Sequence, residues 1–261
     1  MEFLKVARRR SFVSNTIYHG LNVALAVAIL VVIQVSGSPL PAFALVFLSK
    51  WRILAVRPRY WFANLQANLV DLIVSIGLVM LLYAAGGNLI VQSIMTLLYI
   101  GWLLFMKPRS KRTFMVAQAG VAVFVGVSAL YMIAYAWPVV FVVLAMWLIG
   151  YASARHVLGA YDETHITFLS LIWGLVFAEL GWIAYHWTIA YSLPGFGGVE
   201  LPQITLIVFA LSFVAERFYR SYTKHEKVRM DELLLPMLLS GSVIALILAL
   251  ALWVFFHSFS I

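Results

Sequence analysis

The stretch LPAFALVFLSKWRILAV, residues 40 to 56, decides how the whole chain is threaded. It is apolar enough for lipid, yet short, and Lys50 and Arg52 sit in its latter half. If it crosses a bilayer, every later connector falls on the side its charge requires. If it re-enters, all of them change sides.

A bilayer core about 30 Å thick takes roughly 20 mostly apolar helical residues to cross. Run length, with breaks at Pro, Gly and charge, marks nine expected spans. They are Thr16–Val35, Leu40–Val56, Phe62–Ala84, Leu89–Met106, Phe114–Tyr135, Val139–Ala154, Ile166–Ile189, Ile204–Tyr219 and Leu233–Phe256. With the N terminus inside, one side receives Lys5 and Arg8–Arg10, then Lys50, Arg52, Arg57 and Arg59, then Lys107, Arg109, Lys111 and Arg112. Arg155 follows, and Arg217, Arg220, Lys224, Lys227 and Arg229 complete all 18 Lys and Arg. The opposite connectors, GSP, AAGGN, AWP and YSLPGFGGVELPQ, carry Glu200 as their only charge. Cytoplasmic loops are the ones enriched in Lys and Arg. The partition therefore favours a crossing at 40–56, with both long side chains snorkelling inward.

The composition agrees. Of 261 residues 64% are hydrophobic and 11% charged, far from the soluble balance of about half apolar and a quarter charged. The expectation is an all-α polytopic transmembrane helix bundle, a single integral membrane domain over 1–261, N terminus inside and C terminus outside, in the cytoplasmic (inner) membrane. KVARRR before an apolar run and VSG has the layout of a signal peptide, but an uncleaved anchor is expected. Trp51, Trp61 and Trp102 near inner ends, and Trp137 and Trp187 near outer ends, fit an interfacial aromatic belt. Pro39/Pro41, Gly86/Gly87, Pro138 and Pro202 read as tight turns. The charge of +8 is scattered over short connectors, so nucleic acid is not an expected partner. Anionic lipids at the cytoplasmic face are, and protein partners within the membrane are open.

Inside the spans, FANLQANLVDLIVS, residues 62 to 75, sets Asn64, Asn68, Asp71 and Ser75 four, three and four apart, on one helical face. An ionised Asp near mid-bilayer costs about 3 kcal/mol on insertion scales, so this face should avoid lipid. Lys50 and Asp71 both fall about 10–14 Å in from the inner turn, within reach of each other. They read either as an ion pair fixing helix packing or as a substrate or proton site. Asn15, His19 and Asn22 form a second inner stripe, and Gln118, Ser212 and Glu216 lie in the same half. Together these suggest a polar vestibule open to the cytoplasm, rimmed by Arg52, Arg57, Arg59 and Arg8–Arg10. In FAELGWIAYHW, residues 177 to 187, Glu179 and His186 are seven apart on one face, as a proton relay or as packing groups. Asp162, Glu163 and His165 in YDETH read as first-turn residues complementing a helix dipole. KHEKVRMDE reads as a solvated basic loop.

There is no Cys, and no GxxxxGK[ST], HExxH, GxSxG or repeated Asp motif. No cofactor or metal is therefore called for. Three functions stay open. A carrier or flippase-like protein would admit an anionic solute or lipid headgroup to the vestibule; a non-catalytic scaffold or subunit of a larger complex would use the same residues for packing; an intramembrane lipid-modifying enzyme would use His19 or His165 with a carboxylate. A reporter active only in the cytoplasm is expected to be silent when fused at Pro194 and active within 107–112; activity at Pro194 contradicts the threading.

Overall fold

A computed structural model describes residues 2–53, 55–187, 190–192 and 199–258; the side chains of 2–15, 52, 135, 192 and 254–258 lie outside the described residues. The chain forms helices α1 Glu2–Ser36, α2 Leu40–Ser49, α3 Trp61–Ala84, α4 Leu89–Gly101, α5 Arg112–Ile133, α6 Val139–Ala160, α7 Ile166–Trp187, α8 Gln203–His225 and α9 Met230–Ser258. Seven helical stretches among the described residues are long and apolar enough to cross a membrane, within α1, α3, α4 with the turn after it, α5, α6, α7 and α9. The result is an all-α, multi-pass membrane bundle.

Local chemistry sets the turns. Asn88 caps α4 by accepting the Val91 N–H at 3.2 Å. Gly37, Gly86 and Gly87 take positive φ of 60°, 58° and 82°, open to glycine without a Cβ penalty. Pro138 and Pro202 stand immediately before α6 and α8, where no helical N–H is needed.

Two expected spans differ from the sequence reading. α2 has only 10 residues, about 15 Å of helix, and gives way to single 3₁₀ turns at Trp51–Ile53 and Pro58–Tyr60. The Lys50 side chain turns to a partner in α3, and Pro58 bars a helix through the residues before it. α8 is 23 residues long, but Glu216, Arg217, Arg220 and Lys224 make its latter part charged. α6 runs to Ala160, past the expected Ala154, because Arg155 and His156 stay helical. The connector after α7 contains two short antiparallel strands, β1 Ala190–Ser192 and β2 Glu200–Pro202.

Side-chain contacts order the helix ends. The Gln34 amide donates to Gln92, whose own amide donates to the Leu82 carbonyl at 2.8 Å, so the ends of α1 and α3 and the start of α4 are level. The Tyr131 hydroxyl donates to the Gly181 carbonyl at 2.7 Å, and Ser128 meets Thr205 at 3.2 Å, levelling late α5 and α7 with the start of α8. At the other end Gln118 of α5 donates to the Met106 and Arg109 carbonyls at 2.6 and 2.9 Å and meets His156 of α6 at 2.7 Å. The chain from Gly37 to Tyr60 therefore starts beside the late end of α3 and finishes at its first residue. It travels the length of a 24-residue helix although, among its described residues, only α2 is α-helical.

The core has two halves. Ala26, Ile29, Val46, Val79 and Leu82 pack among α1–α4, while Val127, Met146, Phe177 and Val208 pack among α5–α8. α3 and α5 join them back to back, with Ile73 against Gly126 and Val125 against Gly77. α6 and α7 meet through glycine. A Cβ on Gly150 would stand 2.6 Å from the Phe177 ring, and one on Gly181 2.6 Å from Met146. Gly150→Ala is expected to destabilise by about 1–3 kcal/mol through overpacking. Gly101→Ala, which meets nothing within 4 Å, is expected to be neutral or mildly stabilising. Thermal unfolding of both variants in detergent checks the contrast.

Candidate functional site

Asp71 lies in the eleventh position of α3, with 9% of its surface exposed. Apart from Gln66, the polar residues of α3 share one face, and at Asp71 that face turns to the ends of α2 and α4. From α2, Lys50 forms an ion pair with Asp71 Oδ2, as the spacing suggested. From the end of α4 a second ammonium arrives, Lys107, with its Nζ 2.9 Å from the same oxygen. The Trp102 indole N–H donates to Oδ1 at 3.4 Å. Below the carboxylate, the Ser75 hydroxyl donates to the Asp71 carbonyl at 2.6 Å, and the Tyr99 hydroxyl donates to Ser75 Oγ at 3.0 Å.

The charge count decides what this cluster is. Two ammonium groups share one carboxylate, which leaves one positive charge over. The Lys50 side chain is 9% exposed and that of Lys107 33%, so the surplus charge is reached through Lys107. A charge held in such surroundings is costly unless matched.

Lys107 escaped the sequence reading, which left it in a connector. A π-helical turn, Trp102–Met106, closed by the Lys107 N–H on the Trp102 carbonyl at 2.9 Å, follows α4 and aims it back. Pro108 is the one available signal, because a proline there has no N–H for helix continuation and clashes with the carbonyl four residues back. Trp102 also changes role: it is 5% exposed and bound to Asp71, not part of an interfacial belt. Trp51, Trp61, Trp137 and Trp187 are exposed as expected.

The other candidates are not gathered around Asp71. Asn68 donates to the Asn64 carbonyl at 2.8 Å and Asn22 to the Tyr18 carbonyl at 2.9 Å, each within its own helix. His19 is exposed and lies edge-on to Tyr18. Arg57 and Arg59 are exposed, the Arg59 guanidinium 4.6 Å from the Tyr60 ring centre. The side chains of Asn15, Arg8–Arg10 and Arg52 lie outside the described residues. Glu179 and His186 do share a face of α7, and that face is exposed. The His186 ring lies edge-on to Trp182 and Tyr185 of its own helix, with ring centres 4.9 and 5.4 Å away. Gln66, not singled out in the sequence, bridges to α6 by donating to the Tyr151 hydroxyl at 2.9 Å.

At the basic end a cavity of about 300 Å³ opens between the α6–α7 connector and the end of α8, lined by Tyr161, Tyr219 and Tyr222 and by Asp162, Glu163 and Glu226. The Tyr161 hydroxyl donates to Glu216 at 2.7 Å, and Tyr219 donates to Glu163. Glu163 also accepts the His165 N–H at 2.9 Å near the start of α7, in keeping with the dipole reading. Hydrogen bonding from Tyr219 and then from the His165 amide holds the Glu163 carboxyl below the usual range. Among the described residues no three His, Asp or Glu gather closely enough to hold a metal.

Removing the carboxylate tests the cluster. Asp71→Ala, which leaves two ammonium groups facing each other, is expected to destabilise by on the order of 3 kcal/mol. Lys50→Met with Asp71→Leu should be better tolerated than Asp71→Leu alone, and adding Lys107→Met should recover more. Additive losses in chemical unfolding would deny the coupling. Comparison of the chain with protein-family profiles, with characterised proteins and with solved structures finds no match.

Proposed function

We propose that the chain is a multi-pass protein of the cytoplasmic membrane, crossing nine times with its basic end in the cytoplasm, and that it works as a carrier or flippase-like protein. Its cargo is an anionic solute or lipid headgroup that enters from the basic end and meets Lys107 and Lys50 beside Asp71. The observation that carries this reading is the surplus positive charge of the Lys50–Asp71–Lys107 cluster, about 15 Å along α3 from its first residue. A second observation supports it: the segment from Trp51 to Tyr60 is only partly helical and ends among exposed Arg57 and Arg59. Such backbone is tolerated at membrane depth where protein or water covers it, which suits a vestibule. Anionic lipids would gather at the same face.

A scaffold or subunit role is favoured by different residues. Asn22 and Asn68 spend their amides on their own helices, and Glu179 and His186 point away from the bundle, where a membrane partner would cover them. The two readings separate in vesicles. Reconstituted protein is expected to move an anion or an anionic lipid across the bilayer, with Lys107→Met lowering the rate at least about tenfold and Asp71→Asn altering it without loss of folded protein. Unchanged flux in both variants across anions and lipids leaves the scaffold reading standing.

A further inference from the structure

The acidic side chains of the basic end sort into two groups. Asp71 has Lys50 and Lys107, Glu216 has Arg217, Asp231 has Arg229, and Glu232 has Lys224 and His225, all within ion-pair distance. Asp162, Glu163 and Glu226 have no such cation among the described residues. These three come from two connectors some 60 residues apart in the chain, and all three line the cavity between α6–α7 and α8. Among the described residues no Lys, Arg or His lines it, at the end of a molecule where all 18 Lys and Arg are expected.

The remaining wall is three tyrosines with Thr164 and Thr223. Tyr161 and Tyr219 meet edge to face with ring centres 5.2 Å apart, and Tyr222 completes the side. One ring already holds a cation: the Arg112 guanidinium lies 4.4 Å from the centre of Tyr161. Tyrosine faces attract cations by their quadrupole, most usefully cations that shed water easily, such as substituted ammonium groups. The carboxylates do not gather closely enough to hold a metal ion, while about 300 Å³ is the lower end of the size of a small-molecule site.

We propose that this cavity is a binding site for a small organic cation, an amine or quaternary ammonium group, seated against the tyrosines and neutralised by Glu163, Asp162 and Glu226. The chemistry is that of a choline or ethanolamine group, free in solution or carried by a zwitterionic lipid whose headgroup lies at this level. The site is independent of the Lys50–Asp71–Lys107 cluster and stands if the carrier reading fails.

The test is titration of the purified chain, in nanodiscs of anionic lipid only, with tetramethylammonium and with choline, followed by calorimetry or saturation-transfer NMR. Saturable binding is expected. Glu226→Gln should weaken it at least fivefold and Tyr222→Leu about tenfold. Both residues are exposed, Tyr222 by 57%, so neither change disturbs packing, and elution profiles of the variants check this. Lys107→Met should leave the affinity unchanged. Repeating the titration in nanodiscs containing a choline lipid separates the sources: a lipid headgroup as occupant competes with free choline, and a soluble cation as occupant is bound equally in both discs. Absence of saturable binding, or equal affinity in Glu226→Gln and Tyr222→Leu, overturns the assignment.

Discussion

A carboxylate that sits far into an apolar bundle must be neutralised where it stands, and at Asp71 that requirement organises half the molecule. With only 9% of Asp71 exposed, solvation does little of it, and a protonated acid would leave Lys50 without a counter-ion. The end of α2, the middle of α3 and the π-turn after α4 therefore converge on one pair of oxygens. Around them pack Val46, Val74, Tyr99 and Leu103, whose burial depends on the three segments meeting at that level. α2 can be short because its charged end is held from the side.

The second half of the bundle solves a different problem by shape. Lipid tails are as apolar as leucine, so helices in it associate through close contact and hydrogen bonds more than through exclusion of water. α6 and α7 meet along Gly150, Gly174 and Gly181, into which Phe177, Trp147 and Met146 fit, and the Tyr131 hydroxyl ties α5 to the same seam. Without the glycines the aromatic side chains would hold the helices apart. The Ile73–Gly126 and Val125–Gly77 contacts repeat the device between the halves.

Much of this was legible in the sequence for physical reasons. Apolar run length is a long-range signal, so the multi-pass helical character survives errors of several residues at each boundary. The Lys50–Asp71 contact was legible because both residues could be measured from one turn. Lys107 was not, since a π-turn shifts the direction of a side chain without a strong mark in composition. Nor was the crowding of Asp162, Glu163 and Glu226, because their shared cavity is made by packing α8 against a connector some 60 residues earlier. The inner stripes show the reverse error: helical spacing places Asn22 and Asn68 correctly on faces, yet an amide on a helix can turn to the carbonyl four residues back and need no neighbour.

The early end of α2 has a consequence for the surrounding lipid. Past Ser49 the described residues run to Tyr60 as turns, with Trp51, Val56, Arg57 and Arg59 exposed; Ile53 closes on Lys50 and Tyr60 on Arg57, but the continuous helical ladder of hydrogen bonds that lipid favours is missing. On the threading proposed above, headgroups and water would be drawn up along this flank, and the leaflet at the basic end would be pinched there by an amount set by the distance from Tyr60 to Lys50. The bilayer beside such a protein would be asymmetric, of full thickness against α7 and thinner against the α2–α3 corner.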